Sequence, residues 1–289
     1  AVLSSVHVGD SWYFGGDFTA THSASAPRLM PLTAAGEMVA SCNLGASFDG
    51  DITSLVRSGS SIYVGGAFSS FNGMSAKRIA KLDAVTCALD TTFSPPAANG
   101  FDSTVTTLLV SGSSIYVGGV FTAYRGVADS ANRLAKLDLT SGAIDTSFGP
   151  AGPSANGFDG TVYALATDGT SLFIGGGFSS YRGAGFSAWN LAKVNATTGA
   201  LDTTFSPAGL NQNGFDSTVY ALALSGTSVY AGGGFGSYKG VAGSASRIAK
   251  LNATSGALDT TFSPPGANGF NSYAYAFAVS GTSLYVAGN

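Results

Sequence analysis

The sequence predicts an all-β fold, a β-propeller built from four-stranded antiparallel blades, on three observations. A short phrase, "YVGGAF" at 63–68, recurs along the chain. Glycine (41 residues), Phe (19) and Tyr (12) are abundant, which is typical of strands and turns. No segment shows the 3.6-residue apolar period of a helix. The other copies are "YFGGDF" (13–18), "YVGGVF" (116–121), "FIGGGF" (173–178), "YAGGGF" (230–235) and the start of a sixth, "YVAGN" (285–289).

The spacing of the phrase predicts the blades. Counted from its first glycine, it falls at positions 15, 65, 118, 175 and 232 and then at 287, so the period is 50 to 57 residues. Four short antiparallel strands repeated at ~40–57 residues are typical of propeller blades. One such sheet cannot bury both of its faces alone, but stacking against neighbouring blades covers them. We therefore expect five full blades and the start of a sixth, in a ring of six to eight.

Four strands follow one another within each period. The first, "TVYALALSG" (218–226), alternates apolar and small residues, and the turn "SGTS" leads into the second, "VYAGGGF" (229–235). The double glycine indicates a bulge or a close approach of backbone, after which the Phe turns into the gap between blades. A longer connection leads to the third strand, "RIAKLNATSG" (247–256), whose Asn and Gly favour a hairpin turn into the fourth, "ALDTTF" (257–262).

The domain boundaries follow from the same period. We expect a single propeller domain over 1–289. We also expect it to be a piece of a longer chain, because five and a third blades leave two blade faces open to water. The predicted blades are 1–47, 48–100, 101–157, 158–214, 215–269 and a partial blade, 270–289.

Two blocks of the sequence resemble a known repeat family. They are "YVGGVF…NRLAKLDLTSGAIDTSF" (116–148) and "YAGGGF…SRIAKLNATSGALDTTF" (230–262). Both are similar to the delta-60 repeat, which has a G-G-x-F strand, an R-[IL]-A-[RK]-L strand and an L-D-x-[ST]-F ending. The resemblance covers nearly the whole chain and is loose only in the first copy, where 28–43 lacks both Asp residues. It implies a propeller from a large bacterial surface or secreted protein, and it implies no reaction.

The charged residues argue against several functions. A net charge of −3 offers no basic surface for nucleic acid, and no apolar run approaches the ~20 residues that span a bilayer. Of 13 basic residues, 11 recur at equivalent positions, such as Arg78 before the third strand and Lys81 within it. Such repetition indicates scaffold, here salt bridges and turn caps between blades, with Asp90 and Asp102 as partners. Since neither a catalytic motif nor a metal-ligand spacing occurs, we expect no catalytic residue, metal or cofactor.

A functional site should break the repeat symmetry, and few residues do so. His7 and His22 are the only histidines and Glu37 is the only glutamate. His7 replaces aliphatic or polar residues of other first strands, so we expect it to pack at a strand end. Trp12 and Trp189 are the only tryptophans. Core or rim packing and ligand stacking are alternative roles for both of them.

The two cysteines, Cys42 and Cys87, lie in neighbouring predicted blades. Cys42 aligns with Phe93 of the next copy, and Cys87 replaces the turn glycine found at Gly142. Two such substitutions in adjacent blades are consistent with one disulfide, which would indicate an oxidising compartment. Against the bond, their predicted positions lie towards opposite ends of the outer strands. Both alternatives stay open at this stage.

The loops predict a candidate binding surface. In an up-and-down blade, the first–second and third–fourth turns share one face, and the longer second–third loops lie on the other. Function concentrates on loops held by a rigid scaffold. Each long loop carries an aromatic residue followed by a cation, and Trp189 lies in one of them. The alternative is that each Tyr packs as a lid while its cation bridges to the nearby Asp102 and its counterparts. The dipeptides are Tyr124–Arg125, Tyr181–Arg182 and Tyr238–Lys239.

Taken together, the sequence predicts a non-enzymatic, extracellular or cell-surface propeller that acts in adhesion, protein interaction or structural assembly. The expected partner is another surface protein or a surface glycan, with neither nucleic acid binding nor direct membrane insertion. A lectin-like, carbohydrate-binding propeller is the alternative. A polysaccharide hydrolase or lyase is a third hypothesis, because it would require asymmetric acid–base residues that the repeats do not supply.

Overall fold

The computed structural model describes residues 1–19, 28–42, 44–93, 95, 99–149, 156–205, 213–262 and 269–289. Every strand pair in this part of the chain is antiparallel, and none of it is helical, so the all-β prediction is confirmed. The chain divides into two compact units, Ala1–Asp145 and Thr146–Asn289. We number the repeats one to six in the order of the predicted blades.

The first unit holds one three-stranded sheet for each of the first three repeats. Repeat one has β1 (Val2–Val8), β2 (Ser11–Gly16) and β3 (Leu29–Thr33). Repeat two has β4 (Ile52–Ser58), β5 (Ser61–Gly66), a short pair β6 (Ser70–Phe71) and β7 (Met74–Ser75), and β8 (Ile79–Asp83). Repeat three has β9 (Val105–Ser111), β10 (Ser114–Gly119) and β11 (Leu134–Asp138).

The second unit continues the pattern. Repeat four has β12 (Thr161–Thr167), β13 (Ser171–Gly177) and β14 (Leu191–Asn195). Repeat five has β15 (Val219–Ser225), β16 (Ser228–Gly233) and β17 (Ile248–Asn252), and repeat six has β18 (Ala274–Ser280) and β19 (Ser283–Gly288). In each three-stranded sheet the second strand of the repeat lies in the middle.

The sheets have three strands where the sequence predicts four. The predicted fourth segment makes a single β-bridge to the third strand, as Leu89 does to Leu82. It then turns, because the carboxylate of Asp90 accepts hydrogen bonds from the backbone N–H groups of Thr92 (2.9 Å) and Phe93 (3.3 Å). An Asp that bonds its own downstream backbone in this way favours a turn over an extended strand.

The double glycine lets neighbouring backbones and repeats approach each other closely. A Cβ on Gly65 would lie 2.6 Å from a methyl group of Val105, which belongs to the next repeat. A Cβ on Gly66 would lie 2.0 Å from the backbone oxygen of Asp51. The register between β4 and β5 shifts near this end, between Ile52 and Ser54. The predicted bulge and close approach are therefore both present.

Aromatic side chains form the core at the loop end of each repeat. In repeat two the ring of Phe48 lies 4.5 Å from that of Phe68 and 4.6 Å from that of Phe71, between ring centroids. All three rings are buried. The same arrangement recurs in Phe101–Phe121–Tyr124, Phe158–Phe178–Tyr181 and Phe215–Phe235–Tyr238. These triads hold each long second–third loop down onto its sheet.

Candidate binding site

Recurrent lysines and aspartates form ion pairs within single repeats. Lys81 Nζ lies 2.9 Å from the carboxylate of Asp90. Burial alone would raise the pKa of Asp90, but hydrogen bonds from Thr92 and Lys81 outweigh it and lower the pKa to about 2. The predicted scaffold role is thus supported, although the bridge lies inside a repeat and not between blades. The equivalent pairs are Lys136–Asp145, Lys193–Asp202 and Lys250–Asp259.

A second set of aspartates holds the start of the long loops. The carboxylate of Asp102 accepts hydrogen bonds from the backbone N–H groups of Thr122 (2.9 Å) and Ala123 (3.0 Å) and from the Thr122 hydroxyl (2.8 Å). Asp159 and Asp216 bond the equivalent N–H groups of their own repeats. These carboxylates therefore bond the loop backbone, and the predicted bridges from the loop cations to them are not made.

The tyrosines of the predicted binding dipeptides point into the protein. Tyr124, Tyr181 and Tyr238 are each buried. The Tyr124 hydroxyl donates a 2.6 Å hydrogen bond to the backbone oxygen of Gly142, in the turn after the third strand. Burial raises the pKa of Tyr124 to about 12. Tyr181 and Tyr238 bond Gly199 and Gly256 in the same way, each at 2.7 Å. The three rings thus pack inward as lids, which is the alternative that the sequence left open.

The cations of those dipeptides bond backbone oxygens. Arg125 Nη2 donates to the backbone oxygens of Phe93 and Ser141, each at 2.9 Å. Arg182 donates to Phe148 and Thr198, and Lys239 Nζ donates to Phe205 at 3.2 Å. Each cation therefore ties a long loop to the end of the preceding repeat. The strand register places the two loop sets at opposite ends of the sheet, as predicted. The tips of the long loops nevertheless reach the third–fourth turns, as the hydrogen bond from Arg125 to Ser141 shows.

Cys42 and Cys87 form a disulfide, with their Cα atoms 4.9 Å apart. The prediction that they lie at opposite ends of the outer strands is wrong, because the strand-ending position of one repeat meets the turn of the next. Phe93 and Gly142 show the same contact, since a Cβ on Gly142 would lie 2.8 Å from the Phe93 oxygen. The disulfide occupies this inter-repeat contact between repeats one and two.

The other residues that break symmetry in the first unit form no shared site. The His7 ring packs against Trp12 on the exposed face of the β1–β2 pair, with 4.7 Å between ring centroids. Glu37 lies in a turn, where its backbone oxygen accepts the Thr33 N–H. His22 falls outside the residues that the structure describes.

Repeat four departs from the pattern in its loop from Ala184 to Asn190. Phe186 is 47% exposed and has φ of 55°, a conformation that bulky residues rarely adopt. Its ring lies 6.2 Å from that of Trp189, between centroids. Trp189 is half-buried, and its indole Nε1 is buried without a hydrogen-bond partner among the described residues. A buried donor without a partner costs about 1–3 kcal/mol. The Nε atoms of Arg125 and Arg182 are buried without a partner as well.

An open pocket of about 260 Å³ lies beside Trp189. It is bordered by Asp159, by Gly177 at the end of β13, by Phe178 and by Asn190. Burial alone would raise the pKa of Asp159, but hydrogen bonds from Ser179 and from the Ser180 N–H outweigh it and lower the pKa, so the carboxylate is charged at neutral pH. We call this cavity the Asn190 pocket. A second open pocket of similar volume adjoins the other side of Trp189.

A row of tyrosines on the first strands of the second unit was not foreseen. Tyr163 and Tyr220 lie 5.3 Å apart, and Tyr220 and Tyr275 lie 5.1 Å apart, between ring centroids. Tyr163 and Tyr275 are exposed. The row adjoins the Asn190 pocket, because a Cβ on Gly177 would lie 3.9 Å from the Tyr163 ring. The signal is present in the sequence, where the tyrosines occupy one repeat position that holds Thr53 and Thr106 in repeats two and three.

The described residues contain no cluster of three or more His, Cys, Asp or Glu side chains that could hold a metal ion. They also contain no helix that is long and apolar enough to cross a membrane.

Four repeats of the chain are similar to a known propeller family. Four segments match the family described as "Domain of unknown function (DUF5122) beta-propeller", and they are 61–93, 114–148, 171–205 and 228–262. The matched segments lie in repeats two to five, which are therefore similar to β-propeller repeats. No curated protein matches it.

Two computationally designed proteins of known crystal structure are similar to the chain. Ika8 is 14% identical, with a TM-score of 0.49 over 99% of this chain and 92% of the designed one. Ika4 is 17% identical, with a TM-score of 0.40 over 66% of this chain and 91% of the designed one.

Proposed function

We propose that the chain is a non-enzymatic binding module that recognises another protein through repeat four. The proposal includes the finer predictions from the sequence: delta-60-like blades in a ring of six to eight, in an extracellular or cell-surface bacterial protein that takes part in adhesion or assembly. One observation carries it. Three departures from the repeat, Phe186, Trp189 and Asn190, fall in a single loop, and two of them are unfavourable for folding.

The remaining polar groups support a binding role for this loop. The recurrent Lys–Asp pairs, the Asp102 set and the Tyr–cation dipeptides all bond groups of the scaffold. The loop of repeat four instead presents an exposed Phe, a half-buried Trp and an open acidic pocket. Aromatic anchors beside a polar pocket are typical of protein interfaces, where a few such residues supply most of the binding energy.

Peptide selection tests this proposal without a known partner. A random peptide library is selected against the immobilised chain, and the chosen peptides are then measured against variants. Replacing Trp189 by Ala is expected to weaken binding at least tenfold, since a hot-spot residue contributes about 2 kcal/mol or more. Trp12→Ala, in the other unit, serves as the matched control. Peptides that bind the Trp189→Ala variant as well as the parent would overturn the proposal.

The tyrosine row favours carbohydrate binding as a second candidate. Exposed aromatic rings about 5 Å apart offer a flat apolar platform whose hydroxyls remain polar. A glycan array distinguishes the two candidates. Saturable binding of a glycan that is lost on Tyr163→Ala and retained on Trp189→Ala would favour the carbohydrate function.

A further inference from the structure

The residue before each third strand forms a recurrent guanidinium site. Arg28, Arg78, Arg133 and Arg247 occupy this position in repeats one, two, three and five, all with φ between 63° and 71°. Positive φ is unfavourable for arginine, so the side chain must gain from its contacts. In each of these repeats Nη1 donates to backbone oxygens at the end of the second strand. The acceptors are Asp17, Ala67 and Phe68, Phe121, and Gly234 and Phe235.

Repeat four keeps this site and lacks its occupant. Asn190 has the same backbone conformation (φ 57°), and its N–H donates to Phe178 O at 2.9 Å just as Arg247 N–H donates to Phe235 O. Its side chain turns towards the next repeat, where Nδ2 donates to Phe215 O at 2.8 Å. The pocket bordered by Gly177 and Phe178 is therefore the space that a guanidinium fills in the other repeats.

The pocket walls suit a cation that arrives from outside. Asp159 lines it, and no ion pair to Asp159 occurs among the described residues. Trp189 lines it as well, and an indole face attracts cations within about 6 Å. Repeat five shows a guanidinium beside an aromatic ring, because the Arg247 guanidinium lies 5.7 Å from the Tyr273 ring centroid. At about 260 Å³ the pocket is smaller than the roughly 300–1,000 Å³ of small-molecule sites, so it fits one side-chain head group.

We propose that the Asn190 pocket binds the guanidinium of an arginine side chain on a protein partner. The inference rests on the proposed function, because it names the chemistry of the partner at the same loop. The Asp159 carboxylate and the backbone oxygens of β13 accept its N–H groups, and Trp189 packs against its planar face. Repeat four thus receives from its partner the group that the other repeats supply from their own chain.

The test uses the whole chain and the probe Nα-acetyl-L-arginine methylamide. Trp12→Phe leaves Trp189 as the single tryptophan, so its fluorescence reports occupancy of the pocket. We expect saturable binding in the millimolar range. The citrulline analogue, which has the same shape without the charge, is expected to bind at least tenfold more weakly, as expected for losing a charge-assisted hydrogen bond. Equal binding of the two probes would overturn the proposal.

Two variants locate the binding. Asn190→Arg restores the residue of the other repeats, which fold with arginine at the same φ, and it is expected to weaken probe binding at least tenfold by filling the pocket. Asp159→Asn removes the charge and is expected to reduce the preference for arginine over citrulline by a similar factor. Unchanged binding in both variants would place the probe elsewhere and overturn the proposal. If the selected peptides still depend on Trp189 in that case, the proposed function stands and only the arginine inference fails.

Discussion

The disulfide replaces a non-covalent brace that the other repeats use, and this equivalence can be tested by rebuilding the brace. In repeat three the brace consists of Phe93 against Gly142, the Tyr124 hydroxyl on the Gly142 oxygen, and Arg125 on the Phe93 oxygen. At the equivalent contact of repeat two, all four of these residues are different. Cys42 and Cys87 stand for the Phe and the Gly, and Phe71 and Asn72 stand for the Tyr and the Arg.

The two devices have similar expected strengths. A disulfide across a sequence separation of 45 residues stabilises by about 4 kcal/mol through restriction of the unfolded chain. In the brace, burial of the Phe side chain contributes about 2 kcal/mol and the two hydrogen bonds about 1 kcal/mol each, which together also come to about 4 kcal/mol. We therefore expect Cys42→Ala with Cys87→Ala to destabilise the first unit by about 4 kcal/mol. Adding the brace through C42F, F71Y, N72R and C87G should restore most of that stability.

Hydrogen exchange of the amides in β4 and β5 measures the effect locally, because the opening free energy of these strands need not equal that of the whole chain. The variant with only C42F and C87G is the matched control. It has the Phe–Gly contact without the two hydrogen bonds, so we expect about half of the recovery. If the fully rebuilt variant exchanges as fast as the double alanine variant, the brace and the disulfide are not equivalent and the reasoning fails.

Four further predictions follow from the described contacts. Tyr124→Phe leaves the buried Gly142 oxygen without its donor and should lower the free energy of unfolding by about 1–3 kcal/mol, measured by denaturant titration. The control Tyr275→Phe changes an exposed ring and should alter the free energy of unfolding by less than about 0.5 kcal/mol. The pKa of Asp90 is lowered to about 2, so the stability that its ionised carboxylate contributes is present above pH 4 and is lost between about pH 4 and 2. Melting temperatures measured across that range should fall accordingly. In the Asp90→Asn variant, the part of this fall that is due to Asp90 should be absent. Combined replacement of the loop cations by Gln should lower the melting temperature by several degrees and leave Trp189-dependent peptide binding unchanged; unchanged stability with lost binding would restore the direct binding role. The cations are Arg125, Arg182 and Lys239. Arg247→Asn should open a pocket in repeat five, and this variant should bind the arginine probe weakly at that pocket. If no additional binding is measured, the inference that the Asn190 pocket is the space of a missing guanidinium is contradicted.

Much of each repeat could be predicted because its determinants are local. Alternating apolar residues and the double glycine specify the first two strands, and the structure shows the predicted bulge near Gly66. The fourth strand could not be predicted reliably, because "LDTTF" has strand-like composition while the Asp90 carboxylate bonds the backbone of Thr92 and Phe93 and turns the chain. The disulfide forms where the end of one repeat contacts the turn of the next. An alignment of the repeats matches equivalent positions and therefore does not show which positions of consecutive repeats are in contact.

The candidate site was partly visible in the sequence. Trp189 stood out as one of two tryptophans, but the Tyr–cation dipeptides beside it looked equally suited to binding. Their side chains face backbone oxygens in the structure, which sequence spacing does not reveal. The more informative signals were positions where one repeat differs from the rest. Asn190 interrupts a set of four arginines, and Tyr163 begins a row of tyrosines where earlier repeats have threonine.

In a repeat protein, each repeat can be compared with the others at equivalent positions. Where one repeat differs, the structure shows whether a second change in the same contact compensates for the difference. In repeat two the changes compensate each other, since the lost hydroxyl and guanidinium coincide with a disulfide across the same contact. In repeat four the loss of arginine at Asn190 is not compensated by another side chain of the described residues, because the pocket stays open and Asp159 borders it. Compensated departures preserve the scaffold. An uncompensated departure leaves binding groups facing solvent, and this is the physical reason to look for the partner of this chain at Asn190.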